Sequence, residues 1–283
     1  MPRVALVGIP IIHIDGHIIN GPSCVPRATD KLRKDLEQML IQETSGVTIV
    51  DLGEITNHPN EKVYWNAPDF DAFSLDVKSI AALNDINIVL VLGGDHSGAL
   101  PFYNLPGLVV RADAHGDAYL PRTSSYQMVT GGNYMSYVEE KRLKSADEVW
   151  NAGVQVFDTH LHNKGVFGQN LTMKEILESK SMPYVGFLDI DPDVLSIKYG
   201  FPFLYHSISD LEVEDLVQLA TKLNPKIIGF FGCVDTDNNG YQLIPPDIIS
   251  AFSDVFKPIC KAVGEVAIAR SLGGPQVYTV TGH

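Results

Sequence analysis

Eight short apolar runs recur along the chain, and they constrain its fold more than any other feature of the sequence. Most are rich in Val, Ile and Leu, and their apolar residues are nearly continuous instead of alternating with polar ones. A strand has this pattern when both faces of its sheet are covered, as in a parallel sheet flanked by helices. The runs are Val4–Ile9, Val47–Leu52, Ile86–Leu92, Gly107–Arg111, Val149–Phe157, Tyr184–Leu188, Ile227–Phe231 and Val277–Val280.

Amphipathic segments separate these runs, and each is typical of a helix with one apolar face. Thr172 with Glu175, and Ser209 with Glu212, match the capping box that opens a helix. Strands alternating with helices over the whole length predict one domain, residues 1–283, with helices on both faces of a mostly parallel sheet. The predicted helices are Pro26–Gln42, Asp69–Asn84, Asn133–Lys144, Thr172–Glu178, Asp210–Leu223 and Pro246–Val263.

The composition excludes several classes of protein. The chain has 283 residues, and its 21 Lys and Arg against 34 Asp and Glu give a formal charge of −13. This excess of acids argues against nucleic acid or an anionic membrane as the main partner. Three scattered cysteines cannot form a disulfide framework, and they indicate a reduced, cytoplasmic setting. An apolar span long enough for a membrane helix does not occur in the sequence.

Acids and histidines follow the apolar runs directly, at the strand ends where ligands bind in parallel sheets. The candidate residues are His96, Asp113, His115, Asp117, Asp189 and Asp191. Residues two apart in an extended segment share a face, so Asp113, His115 and Asp117 project together, as do Asp189 and Asp191. We therefore expect these side chains to meet in one region.

Four carboxylates in one place would repel each other and would be costly to bury without positive charge. Two divalent cations supply that charge. A mixture of oxygen and nitrogen ligands suits manganese, with zinc, iron, cobalt and nickel as alternatives. One such motif alone is commonly a loop cap, but three of them after three apolar runs predict a metal site.

These residues resemble the ureohydrolase family, which includes arginase, agmatinase, guanidinobutyrase and formimidoylglutamase. Residues 93–97 match the family's GGDHS, residues 113–117 its DAHxD, and residues 189–191 the DxD of its third motif. The resemblance implies a three-layer α/β/α sandwich, arginase-like, with a parallel sheet of roughly eight strands. It also implies a homo-oligomer, trimeric or hexameric, that acts on a small guanidino or amidino compound.

The resemblance further implies roles for the six residues. One manganese would be held by His96, Asp113, Asp117 and Asp189, and the other by His115, Asp113, Asp189 and Asp191. In the family, the two ions share a water and lower its pKa, and the resulting bridging hydroxide attacks the guanidinium or amidine carbon. Asp117 is the implied catalytic residue, which holds the hydroxide and passes its proton to the leaving amine.

The sequence departs from the family pattern around the substrate. The family carries a histidine after DAHxD, whereas here the matching stretch, residues 129–134, has none. The family's late glutamate corresponds to Cys233, with Asp235 or Asp237 as its replacement, and the Pro- and Gly-rich loop after the third motif has changed. Candidate substrate contacts are Asn133, Gln155, Asp158, His160, Cys233 and Asp235.

The sequence thus predicts a binuclear manganese hydrolase, agmatinase- or arginase-like, that cleaves a C–N bond of a guanidino or amidino compound. Two alternatives stay open. One is an amide hydrolase on the related deacetylase-like fold, which the two-metal residue set disfavours. The other is a metal-binding family member with weak catalysis, which the departures around the substrate favour.

Overall fold

One parallel sheet of eight strands organises the molecule. The computed structural model describes residues 1–9, 25–55, 67–94, 96–118, 129, 131–154, 166–199, 211–231 and 253–273. The strands are β1 Arg3–Ile9, β2 Thr48–Glu54, β3 Ile88–Gly93, β4 Leu108–Ala112, β5 Val149–Ala152, β6 Gln169–Leu171, β7 Val185–Ile190 and β8 Ile227–Phe230. Their order in the sheet is β2-β1-β3-β8-β7-β4-β5-β6, and every pair is parallel.

Helices cover both faces of this sheet, as the continuous apolar runs predict. Val4 and Leu6 of β1 enter one buried cluster, whereas Ala5 and Val7 enter the cluster on the other side. Helices α1, α4, α5 and α6 contribute to the first cluster, and α2, α3 and a 3₁₀ helix at His96–Asn104 contribute to the second. The α-helices are α1 Val25–Glu43, α2 Ala67–Ala81, α3 Tyr134–Glu140, α4 Met173–Glu178, α5 Val213–Leu223 and α6 Ser253–Leu272. The predicted fold class is confirmed.

Several boundaries differ from the sequence-based prediction. Helix α6 continues past Val263 to Leu272, and Gly264 within it lies against Thr44 of the segment after α1, where a larger residue would collide. Helix α5 begins at Val213 with Glu212 as its N-cap and Asp215 completing the capping box, so the predicted role of Glu212 at the box's third position is wrong. Strand β6 is short, polar and at the sheet edge, and the pattern did not indicate it. Ser209 and the run Val277–Val280 lie outside the described residues.

The strand order creates a switch point at the centre of the sheet. Strands β3 and β4 follow each other in the chain, yet β8 and β7 lie between them. The carboxyl ends are held in register, since Asp191 N–H donates to Ala112 O at 2.9 Å and Phe231 N–H donates to Ile190 O at 2.9 Å. Parallel sheets bind ligands outside such a point. Within the described ranges, the helices are too short or too polar to cross a membrane.

Candidate metal centre

His96 is the centre of the predicted site. It opens the 3₁₀ helix that follows β3 and is 3% exposed. Its Nδ1 atom lies 3.0 Å from Asp113 Oδ2, 3.1 Å from Asp191 Oδ2 and 3.4 Å from Asp117 Oδ2. Despite these separations, Nδ1 has no hydrogen-bond partner in the part of the chain that the structure describes. A buried imidazole nitrogen therefore faces three carboxylate oxygens without a hydrogen bond.

The segment after β4 brings Asp113, His115 and Asp117 to the same place. Asp113 is fully buried, and its Oδ1 accepts the His115 backbone N–H at 2.6 Å. Asp117 has a left-handed backbone, with a φ of 45°, which aspartate tolerates better than most residues. Its carbonyl accepts the N–H of Met135 at 3.0 Å, which ties this segment to the start of α3.

The segment after β7 supplies a further carboxylate, that of Asp193, which is not among the six predicted ligands. The chain leaves its extended conformation at Asp191, whose side chain caps a 3₁₀ turn and accepts Asp193 N–H at 3.0 Å. The turn brings Asp193 Oδ2 to 2.6 Å from His115 Nδ1. Asp191 instead faces His96. The motif Asp-x-Asp-Pro-Asp thus places three acids around the two histidines.

Arg111 was also not anticipated as a site residue. It precedes Asp113 by two positions, is fully buried, and pairs in register with Asp189 of the neighbouring strand. Its Nη2 donates to Asp113 Oδ2 and to Asp117 Oδ2. The two-residue spacing that places Asp113 and His115 on one face places Arg111 there too, so the signal was present in the sequence.

Two tyrosines hold Asp189, which is fully buried at the end of β7. Tyr103 donates to Asp189 Oδ2 at 2.7 Å, and Tyr134 donates to the same atom at 3.2 Å. The other oxygen, Oδ1, lies 3.1 Å from His96 Nε2. The assignment of Asp189 and Asp191 as metal ligands stays a prediction. Tyr103 lies in the 3₁₀ helix that His96 opens, but it is not part of the motif, and nothing in the sequence marks it as a partner of Asp189.

The donor set fits a divalent cation. Two groups of three side chains, His96–Asp113–Asp117 and Asp113–His115–Asp193, each present one ligand atom per residue within 4.8 Å of the others. Ligands about 2.1 Å from an ion lie roughly 3.0–3.4 Å apart in octahedral or tetrahedral geometry. The distances from His96 Nδ1 to its three carboxylate oxygens fall in this range. Asp113 belongs to both groups, as the predicted bridging role requires.

Burial and charge shift the pKa values of these groups. Burial alone would lower the pKa of His115, but contact with Asp193 and the charge of Asp113 raise it to about 10. His96 behaves likewise, because Asp189 and its other acidic neighbours outweigh burial and raise its pKa well above the usual value. Burial and the charge of Asp113 raise the pKa of Asp117. Without bound metal, the two imidazoles therefore favour the charged form.

Comparison with known proteins identifies the family. A family model described as "Arginase family" matches residues 2–189, about two-thirds of the chain, and this range includes five of the six predicted ligands. The chain belongs to the arginase family. The match ends at Asp189, just before the loop in which the sequence departs from the family pattern. A comparison with curated proteins gives no match.

Solved structures share the arginase-like fold at low sequence identity. Proclavaminate amidino hydrolase from Streptomyces clavuligerus is similar with a TM-score of 0.64 and 14% identity, over 95% of this chain and 93% of that one. Formimidoylglutamase from Bacillus subtilis gives 0.61 and 15%, over 96% and 88%. Arginase from Bacillus caldovelox gives 0.60 and 18%, over 98% and 100%. These neighbours establish the fold.

The structure brings all six predicted metal ligands together, and it describes one of the predicted substrate contacts. Asn133 is 7% exposed and is the N-cap of α3, two residues before the Met135 N–H that binds the Asp117 carbonyl. The remaining candidates lie outside the described residues: Gln155, Asp158, His160, Cys233 and Asp235. Their roles stay predictions.

Proposed function

We propose that this chain is a divalent-metal-dependent hydrolase that cleaves a C–N bond of a guanidino or amidino compound. The observation that carries the proposal is that two groups of side chains, His96–Asp113–Asp117 and Asp113–His115–Asp193, each bring three ligand atoms within 4.8 Å of one another. Membership of the arginase family supports the reaction class. The oxygen and nitrogen donors support manganese as the native ion.

We call His96, Asp113 and Asp117 the His96 group, and Asp113, His115 and Asp193 the His115 group. A divalent ion held by either group would supply Lewis-acid activation of water and of the substrate. Asp117 is the candidate proton carrier, because its carboxylate lies in the buried centre with Oδ2 3.4 Å from His96 Nδ1, and a carboxylate placed there could take up a proton and return it to a leaving amine. Asp113 N–H and Asp191 N–H are bonded to neighbouring strands, so both carboxylates are held on a rigid support. The proposal does not fix the number of bound ions, because Arg111 already places a positive charge on two of the carboxylates, Asp113 and Asp117.

The proposal predicts release of urea or ammonia from at least one amidine. We would screen the manganese-loaded protein against arginine, agmatine, guanidinobutyrate, guanidinopropionate and formiminoglutamate. Asp117→Asn should lower turnover by a factor of about 10²–10⁴. It should leave metal binding to Asp113, His115 and Asp193 in place, because Asp117 does not belong to that group. Asp85→Asn is the matched control, because Asp85 is a surface acid paired with Arg3.

Two outcomes would contradict the proposal. If no compound is hydrolysed although manganese is bound, the reading of a weakly catalytic metal-binding protein gains support. If none of these compounds is hydrolysed but an acetylated amine, assayed alongside them for acetate release, is cleaved, the amide hydrolase reading replaces the present one. Equal activity in Asp117→Asn and in the wild type would remove Asp117 from the proposed chemistry.

A further inference from the structure

Arg111 is held by more contacts than a packing role needs. Its Nε donates to Tyr134 Oη at 2.8 Å, its Nη1 to the His115 carbonyl at 2.7 Å, and its Nη2 to both Asp113 and Asp117. The guanidinium carbon also lies 5.6 Å from the centre of the Tyr134 ring. Every nitrogen of the group is engaged, and the side chain is fully buried. A guanidinium fixed in this way cannot move aside without breaking several hydrogen bonds.

The carboxylate oxygens that Arg111 binds are the same ones that define the His96 group. Asp113 Oδ2 lies 3.0 Å from His96 Nδ1, and Asp117 Oδ2 lies 3.4 Å from it. Both atoms accept from Arg111 Nη2. Because arginine is always charged, an ion bound here would share its two oxygen ligands with a resident cation. The like charges would repel at short range in a buried site.

The contacts of Arg111 with the His115 group differ from its contacts with the His96 group. The donor atoms of the His115 group include Asp113 Oδ1 at 3.7 Å and Asp193 Oδ2 at 2.6 Å from His115 Nδ1. Arg111 donates to the backbone carbonyl of His115, whereas the His115 imidazole contacts Asp193. The two oxygens of Asp113 therefore have different neighbours: Oδ2 accepts from the guanidinium, and Oδ1 accepts from the His115 backbone N–H and faces the His115 group.

We propose that the Arg111 guanidinium takes the place of one of the family's two metal ions, so that this chain binds a single divalent ion at Asp113, His115 and Asp193. The inference rests on the proposed function, since it concerns the same centre. It assigns Asp113 as a bridge between a protein cation and a metal ion. It also accounts for Asp193, a carboxylate beyond the predicted set that completes the remaining group.

The test is the stoichiometry of bound manganese, measured by elemental analysis and calorimetric titration without any assay of activity. The wild type should bind one ion per chain, with the magnetic resonance spectrum of an isolated Mn²⁺. His96→Ala should keep that ion, whereas His115→Ala should lose it. Arg111→Met, which removes the charge at similar length, should bind two ions, and Arg111→Lys should bind one.

Three results would overturn the inference. Two ions in the wild type would refute it while leaving the proposed hydrolase intact. Loss of the ion in His96→Ala would place it in the other group. A wild type that binds none would refute both the inference and the proposed metal dependence. The wild type and His96→Ala decide the matter even if Arg111→Met fails to fold.

Discussion

Asp189 shows how single side chains support the candidate centre. A fully buried carboxylate must accept hydrogen bonds to offset the loss of hydration. Tyr103 and Tyr134 provide them on Oδ2, and His96 lies against Oδ1. Tyr134 also accepts from Arg111 and packs on His96, with 4.7 Å between the ring centres. Loss of one hydroxyl should therefore affect both stability and the position of the acid.

Tyr103→Phe is the direct test of this support. The substitution removes a 2.7 Å hydrogen bond to a buried carboxylate, and bonds to charged groups contribute about 1.5–3 kcal/mol. We expect the free energy of unfolding, measured with urea, to fall by that amount. Tyr137→Phe is the matched control, because the Tyr137 hydroxyl is buried and has no hydrogen-bond partner among the described residues. Its removal should leave stability unchanged or raised, and equal losses in both variants would contradict the prediction.

Lys226 provides a residue-scale test of pH dependence away from the centre. Lys226 lies just before β8, and its ammonium group donates to the carbonyls of Leu83 and Ile86, which precede β3. Burial, with the charge of Arg270, lowers its pKa from 10.5 to about 8. Below about pH 8 the lysine is charged in both the folded and the unfolded protein, and the burial of this charge lowers the free energy of unfolding. Between about pH 8 and 10.5 the folded protein loses the proton first, so stability rises with pH.

Replacing Lys226 with methionine should remove this dependence. The variant's free energy of unfolding, relative to the wild type, should be highest below about pH 8 and should decline toward pH 10.5. The lost bonds to Leu83 and Ile86 add an offset that does not vary with pH. Lys222→Met, at an exposed position of α5, is the control and should show no such trend. A constant difference between wild type and Lys226→Met across the range would refute the argument.

At the scale of elements, the sequence indicates strands and helices well because their periods differ. Seven of the eight predicted runs correspond to strands of the sheet, and the capping box at Thr172 and Glu175 is present as predicted. The start of α5 was misplaced, since Glu212 itself caps the helix. Local patterns report helix ends only when the capping pair is unambiguous. A residue such as Gly264, whose role is close contact with Thr44, has no local signature.

Gly93, the last residue of β3, shows such a contact beside the centre. A Cβ atom at this position would overlap the ring of Phe231. That ring is fully buried and stacks on His96, with 5.8 Å between centres and 8° between planes. Gly93 therefore lets the aromatic ring fill the space beside the sheet and support the histidine.

Gly93→Ala should displace Phe231 and loosen His96. Overpacking of this kind costs about 1–3 kcal/mol, so we expect a loss of that size in urea unfolding. Gly273→Ala is the control, because its Cβ would make only an ordinary 3.7 Å contact with the Ala269 carbonyl. Its stability should change by less than about 0.5 kcal/mol. If the two variants unfold alike, the proposed contact between Gly93 and Phe231 is not important.

At the scale of the whole molecule, the sequence predicts which strand ends carry the site but not how they are ordered. The insertion of β8 and β7 between β3 and β4 is a long-range pairing that no local pattern encodes. That order is what places Asp189 in register with Arg111. Arg111 and Asp193 were therefore missed for different reasons. Arg111 reads as the end of an apolar run, and Asp193 lies in the 3₁₀ turn Pro192–Val194, where the alternation of an extended strand no longer applies.

The net charge of −13 makes the stability of the whole chain sensitive to bound cations. Asp113, Asp189 and their acidic neighbours are buried together, and among the described residues Arg111 and the histidines supply positive charge that opposes their repulsion. An ion that binds only the folded state at 100 times its dissociation constant stabilises it by about 2.7 kcal/mol. For a chain of 283 residues, the melting temperature should then rise by about 5 °C. The control variants should separate the metal effect from general charge effects. Asp113→Asn should abolish the shift, because Asp113 belongs to both candidate groups, whereas Asp85→Asn removes an exposed acid and should retain it. A manganese-dependent shift of equal size in Asp113→Asn would mean that the stabilising ion binds elsewhere on the acidic surface.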